Sequence, residues 1–222
     1  MNHHTEKKWR GILFDLDGTL MNTAEGILAS IRYTTQTMGY EPLSDELMRT
    51  FIGPPVRSSL QRIYQLDDAE ADQANEVFRN RYKDHDLLLA SPYEGIMELL
   101  KRLKEEGYLV GVATLKREDY AIRLLEHYHI SDYCDTICGG DFACKFGKDD
   151  VLRLCLNRLN LTSDEVVLIG DTASDGNGAR DMNIDFLAVT FGFGPKTAEA
   201  WESFSPVFVA DSAAAIGEFL QL

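Results

Sequence analysis

The chain has 222 residues, 45% of them hydrophobic, and a formal net charge of -14. That length suits one large domain or a core with a smaller insert, and the apolar content is enough for a packed interior rather than a disordered chain. The acidic balance argues against nucleic acid as a partner, since such a surface needs clustered Lys and Arg. A substrate anion would need local positive groups to offset this field. The N-terminal MNHHTEKKW lacks the apolar stretch of a secretory signal, and no run approaches the roughly 18 apolar residues of a membrane span. The expected location is therefore cytoplasmic, with no membrane partner. His3 and His4 read as part of a polar terminus. Cys134, Cys138, Cys144 and Cys155 form no C-x-x-C pair and read as buried reduced thiols.

The first predicted element is the apolar run Ile12-Leu13-Phe14, followed by Asp15-Leu16-Asp17-Gly18-Thr19-Leu20. A short apolar run bounded by Gly and charge reads as a buried parallel strand entering a tight loop. The pattern then turns helical. Thr23 is placed to cap a helix running to Met38, with Ile27, Leu28 and Ile31 on one face and Gly39 as its stop. Ser44 reads as the cap of a helix over 45–51. Ile52-Gly53-Pro54-Pro55 is a loop, because two prolines and a glycine cannot continue a helix. Helices follow over 56–64 and 68–82, and no strand is expected between Met21 and Leu89. An all-helical stretch of about 65 residues is far longer than an ordinary crossover, so it reads as a second small domain. Beyond it come a helix over 92–106, a strand over 109–114, a helix over 118–129, and a short strand over 136–138 running into Gly139-Gly140. A helix over 149–159, a strand over 166–169, a helix over 174–182, strands over 186–190 and 207–209, and a last helix capped by Ser212 complete the chain. Strands alternating with helices give a doubly wound parallel sheet covered on both faces. The expected organisation is an α/β core from residues 1–20 and 90–222, with an inserted all-α helical cap domain over 21–89.

In open α/β sheets, ligands sit at the carboxyl ends of the strands. The first strand delivers Asp15 and Asp17 there together. A strand closing on an Asp-Gly turn accounts for Asp17-Gly18, but not for Asp15 directly after the apolar run. Two carboxylates this close raise each other's pKa unless a cation neutralises them, and a hard cation such as Mg²⁺ does so through oxygen ligands. The strand over 109–114 ends in Thr114-Leu115-Lys116. A hydroxyl at that place, with loop N–H groups beside it, can bind a phosphoryl oxygen; a Thr can also simply close a strand or cap the next helix. Ile169-Gly170-Asp171-Thr172-Ala173-Ser174-Asp175 follows another apolar strand. An N-cap accounts for one of its aspartates but not easily for both.

Phe14-Asp15-Leu16-Asp17-Gly18-Thr19-Leu20 resembles the first motif of the haloacid-dehalogenase-like (HAD) hydrolase superfamily, on its phosphatase side. Thr114 matches the second motif, with Leu115 where Asn is usual. The third motif is a lysine opening the helix after the third strand, often followed by Pro. Cys144-Lys145-Phe146-Gly147-Lys148 offers two, neither followed by Pro; Lys148 opens the helical pattern and is preferred, with Lys145 the alternative. The G-D-x-x-x-D run from Gly170 to Asp175 resembles the acidic fourth motif. Four motifs in order, each after a predicted strand, extend the resemblance over roughly two thirds of the chain.

The resemblance implies a Mg²⁺-dependent phosphatase of the phosphoglycolate phosphatase-like kind. Asp15 would attack phosphorus to form an aspartyl-phosphate; Asp17 would protonate the leaving alcohol and then deprotonate the hydrolytic water. The implied metal set is Asp15, the backbone carbonyl of Asp17, Asp171 and Asp175, with Asp175 orienting Lys148 or a metal-bound water. Gly18, Thr19, Thr114, Lys116 and Lys148 form the implied phosphate-binding set. Arg57, or Arg49, in the helical insert is a candidate for a substrate carboxylate or second phosphate, against the plainer reading of a surface arginine. The expected partner is a small phosphorylated metabolite, phosphoglycolate-like or nucleotide-like, and the protein a monomer or homodimer. Asp17 argues against the dehalogenase branch. The absence of Lys between Leu20 and Tyr82 argues against the phosphonoacetaldehyde hydrolase branch. A β-phosphoglucomutase-like phosphosugar mutase is the enzymatic alternative, and a non-catalytic binding module on the same fold is the other.

Overall fold

The computed structural model describes residues 8–141 and 146–222. In chain order its strands are β1 (Gly11–Phe14), β2 (Met21–Asn22), β3 (Ser91–Pro92), β4 (Leu109–Arg117), β5 (Thr136–Gly140), β6 (Val166–Gly170), β7 (Asp185–Val189) and β8 (Phe208–Ala210). Its α-helices are α1 (Ala24–Thr37), α2 (Asp45–Arg49), α3 (Val56–Tyr64), α4 (Asp68–Arg81), α5 (Ile96–Glu105), α6 (Glu118–His127), α7 (Lys148–Leu159), α8 (Ala173–Asp181) and α9 (Ala213–Phe219). The chain divides into two compact units, Met1–Met21 with Pro92–Leu222, and Asn22–Ser91. No helix among the described residues is long and apolar enough to cross a membrane.

The first unit is an α/β core. Six strands form a parallel sheet of order β5-β4-β1-β6-β7-β8. Every residue of β1 and of β6 is buried, as expected of apolar runs with no polar alternation inside a parallel sheet. β1 lies between β4 and β6, with Phe14 level with Val112 on one side and Ile169 on the other. From β1 the chain winds outward through β4 and β5, then returns past β1 to β6, β7 and β8. That reversal makes the carboxyl ends of β1 and β6 the switch point where such sheets bind ligands. One apolar cluster joins Leu13 and Leu168 of the sheet to Leu152 and Cys155 of α7 and to Trp201.

The second unit is helical. Asp86 is 2% exposed and accepts from Arg81 Nε at 2.8 Å, Arg81 Nη2 at 3.1 Å and Ser30 Oγ at 2.9 Å, tying α4 to α1. Gly26 of α1 lets the backbones meet, since a Cβ there would lie 2.2 Å from the Asp86 carbonyl oxygen. Arg57 is held inside this unit by Asp72 at 2.5 Å and Asp68 at 3.1 Å.

Several local expectations give way to tertiary contacts. The helix predicted from Pro92 begins only at Ile96, because Ser91–Pro92 pair as β3 and the Tyr93 N–H donates to the Leu20 carbonyl at 3.1 Å. Gly95, at φ +79, supplies the left-handed turn into the helix. β4 runs past Thr114 to Arg117, with a break of register against β5 between Ala113 and Arg117. Thr23 makes no side-chain capping bond; its ψ of 8 is far from the extended N-cap conformation. Ser44 and Ser212 do cap, accepting from the N–H groups of Leu47 and Ala215. The last turn of the predicted 68–82 helix continues as a π-helical stretch, Tyr82–Asp86.

Candidate active site

Because β4, β1 and β6 are neighbours, their carboxyl ends bring Thr114, Asp15 and Asp171 to one place. The start of α7 adds Lys148 and the first turn of α8 adds Asp175. Lys148 is 6% exposed, and its ammonium donates to Asp15 Oδ1 at 2.6 Å and to the Ala113 carbonyl at 2.6 Å. Its third partner is Asp175 Oδ1, 2.5 Å away, so all three ammonium donors are used. Asp175 is fixed from its other oxygen, which accepts from the Thr172 N–H at 3.0 Å and hydroxyl at 2.6 Å. Asp171 is fully buried; Oδ1 accepts from the Thr19 hydroxyl at 3.1 Å and Oδ2 from the Phe193 N–H at 2.6 Å. Gly18, at φ +91, passes so close that a Cβ would sit 2.1 Å from Asp171 Oδ2.

Carboxylate oxygens of Asp15, Asp171 and Asp175 lie within 4.8 Å of one another. Burial raises the Asp15 pKa well above the ordinary range; Asp175 and Asp171 push the same way, against the pull of Lys148. Burial, then Asp175, push Asp171 up to about 6, although bonds from Phe193, Thr19 and Gly194 pull it down. Burial works against the Lys148 ammonium, but Asp15 and Asp175 outweigh it and lift its pKa above the usual lysine range. With all three carboxylates ionised, one ammonium would leave two negative charges to be neutralised. An all-oxygen donor set with that deficit fits a hard divalent cation.

Asp17 stands apart from this cluster. Its Oδ1 pairs with Lys116 Nζ at 3.1 Å. Thr114 is 1% exposed, and its hydroxyl oxygen accepts from the Lys116 N–H at 3.1 Å, which leaves its own hydrogen to donate. The expected alternative Lys145 lies outside the described residues. Two contributors escape a reading of the sequence. Tyr93 has its phenol pushed up to about 12 by burial, then by Asp171 and Asp17, and its ring lies 5.0 Å from Phe191. The Phe191-Gly192-Phe193-Gly194 loop after β7 lies against Asp171; a Cβ on Gly194 would be 1.8 Å from the Asp171 carbonyl oxygen. Two glycines at alternate positions just after a strand were the available signal.

The family model of haloacid dehalogenase-like hydrolases matches residues 12–189. The chain belongs to that family. Among its relatives, tyrosine-protein kinase PtkA of Mycobacterium tuberculosis is 33% identical over 184 residues, taking in 82% of this chain and 62% of the kinase. The chain thus spans less than two thirds of that relative. Phosphoglycolate phosphatase of Aquifex aeolicus is 32% identical over 167 residues, 75% of this chain and 78% of that enzyme. The crystal structure of a predicted phosphatase from Clostridium acetobutylicum superposes with a TM-score of 0.88 at 32% identity, covering 96% of this chain and 99% of that one.

Proposed function

We propose that the protein is a Mg²⁺-dependent phosphatase that hydrolyses a small phosphate monoester through an aspartyl-phosphate on Asp15. The observation that carries this reading is the trio of carboxylates within 4.8 Å around one buried lysine, at the ends of adjacent strands. Asp15, Asp171 and the backbone carbonyl of Asp17 would hold Mg²⁺, which when bound neutralises phosphate charge against the anionic nucleophile. Lys148 favours the ionised form of Asp15 against its burial and lends positive charge to the phosphoryl oxygens, with Thr114 donating beside it. As Asp15 attacks phosphorus, Asp17 gives its proton to the departing alcohol; it then takes a proton from the water that frees phosphate from Asp15. Asp175 and Thr19 hold Lys148 and Asp171 in place. The helical unit is the proposed cap that chooses the leaving group; its Arg57 is engaged by Asp68 and Asp72. The substrate is a small phosphorylated metabolite of the cytoplasm, and the similarity to a phosphoglycolate phosphatase puts that ester first among candidates.

The test is phosphate release with Mg²⁺ from phosphoglycolate, nucleoside monophosphates, sugar phosphates and pyrophosphate, with wild type and Asp15→Asn side by side. Turnover that disappears in the variant and in chelator supports the reading. Hexose-phosphate isomerisation without ester hydrolysis would replace it with the mutase reading.

A further inference from the structure

We infer that Lys116 is a positioning residue for Asp17, aiming its carboxyl at the leaving group, and that it does not bind the substrate phosphate. This rests on the phosphatase reading above. The Lys116 side chain is 6% exposed and its ammonium sits 3.1 Å from Asp17 Oδ1. A buried ammonium is costly unless a carboxylate answers it, and here Asp17 does. The backbone brings it there. β4 breaks register with β5 between Ala113 and Arg117, and the glycine pair ending β5 makes room for the detour. A Cβ on Gly139 would lie 2.6 Å from the Lys116 carbonyl oxygen, and one on Gly140 2.6 Å from that of Leu115. The Lys116 N–H is tied to Thr114 Oγ1. Two buried lysines therefore divide the aspartates of the first loop, Lys148 serving Asp15 and Lys116 serving Asp17.

An ammonium only donates, so the oxygen that accepts from it is a poor seat for a proton. With Oδ1 facing the ammonium, Oδ2 is the oxygen that would exchange a proton with the leaving group and the water. In the first step the bond from Asp15 to phosphorus forms, the bond from phosphorus to the alcohol oxygen breaks, and the Oδ2 proton passes to that oxygen. In the second, water gives a proton to Oδ2 as its oxygen displaces Asp15 from phosphorus.

Wild type, Lys116→Met, Lys116→Arg and Asp17→Asn are compared on p-nitrophenyl phosphate, whose leaving group departs as a stable anion, and on phenyl phosphate, whose leaving group needs a proton. Lys116→Met is expected to lower kcat/KM, which reads the first step, at least ~10-fold more on phenyl phosphate than on p-nitrophenyl phosphate. KM should stay within about 3-fold on both esters. Lys116→Arg should restore most of the loss, and Lys116→Met should cost nothing further in the Asp17→Asn background. If Lys116→Met does not fold, Lys116→Gln carries the same comparison. A rise in KM on both esters with kcat retained would assign Lys116 to the phosphate and overturn the inference. Equal kcat/KM losses on both esters, or none, would also overturn it. Wild type inactive on these esters and on the whole panel defeats the phosphatase reading itself and this inference with it; an unaltered ester preference in an active Lys116→Met defeats the inference alone.

Discussion

Alongside Asp15, Asp171 contributes to the pH response of the site. Its folded-state pKa is about 6 against an ordinary 3.8, so the native protein holds an extra proton between those values. Stability of the metal-free protein therefore falls as pH rises through that window, because the unfolded chain has already released the proton. A divalent cation needs the carboxylate form. The rise in Tm caused by Mg²⁺ should accordingly be small near pH 4.5 and grow as pH rises through about 6, measured by thermal melts with and without the ion. A Tm increment independent of pH would place the cation elsewhere. At the nucleophile, Asp15→Asn should cut phosphate release by at least ~10³-fold on the preferred ester, with the fold retained by circular dichroism. Lys148→Met removes the ammonium that Asp15 and Asp175 share. It should raise the Mg²⁺-free Asp15 pKa further and lower kcat, since two of three buried carboxylates lose their counter-charge.

At the scale of elements, the loop after β7 controls Asp171. Gly194→Ala puts a methyl against the Asp171 backbone, so the loop must move and the Phe193 N–H must leave Oδ2. The Mg²⁺ concentration for half-maximal activity should rise ~10-fold or more, the size of effect seen when an outer-shell partner is lost. Unchanged metal dependence would mean the loop only fills space. In the helical unit, Asp86→Ala should lower the denaturation midpoint, since it leaves the Arg81 guanidinium and the Ser30 hydroxyl without their shared acceptor.

The whole molecule carries a net charge of -14, which repels an anionic ester before the site's lysines can act. With Mg²⁺ saturating, kcat/KM should rise as ionic strength goes from about 10 to 150 mM, because the Debye length falls from roughly 30 to 8 Å. A fall over that range would mean a local positive patch dominates encounter. The strands and the all-helical stretch were legible in the chain because apolar runs and helical periods are local signals; Asp15 and Asp171 stood out as carboxylates just after such runs, whereas Thr114 and Lys148 were singled out through the resemblance to the family's motifs. Thr19, Tyr93 and Phe193 were not legible in their observed contacts, since nothing local distinguishes a Thr that donates to a residue 152 positions away from one that donates to a phosphate. Lys116 shows the same division. Its place next to Thr114 is read from the sequence, whereas its pairing with Asp17 depends on a register break in β4 and on two glycines of β5. Hydrophobic periodicity is a property of neighbours along the chain and so determined the elements and their order. Which donor meets which carboxylate is set by strand order and close backbone approach, and only the tertiary structure decides those.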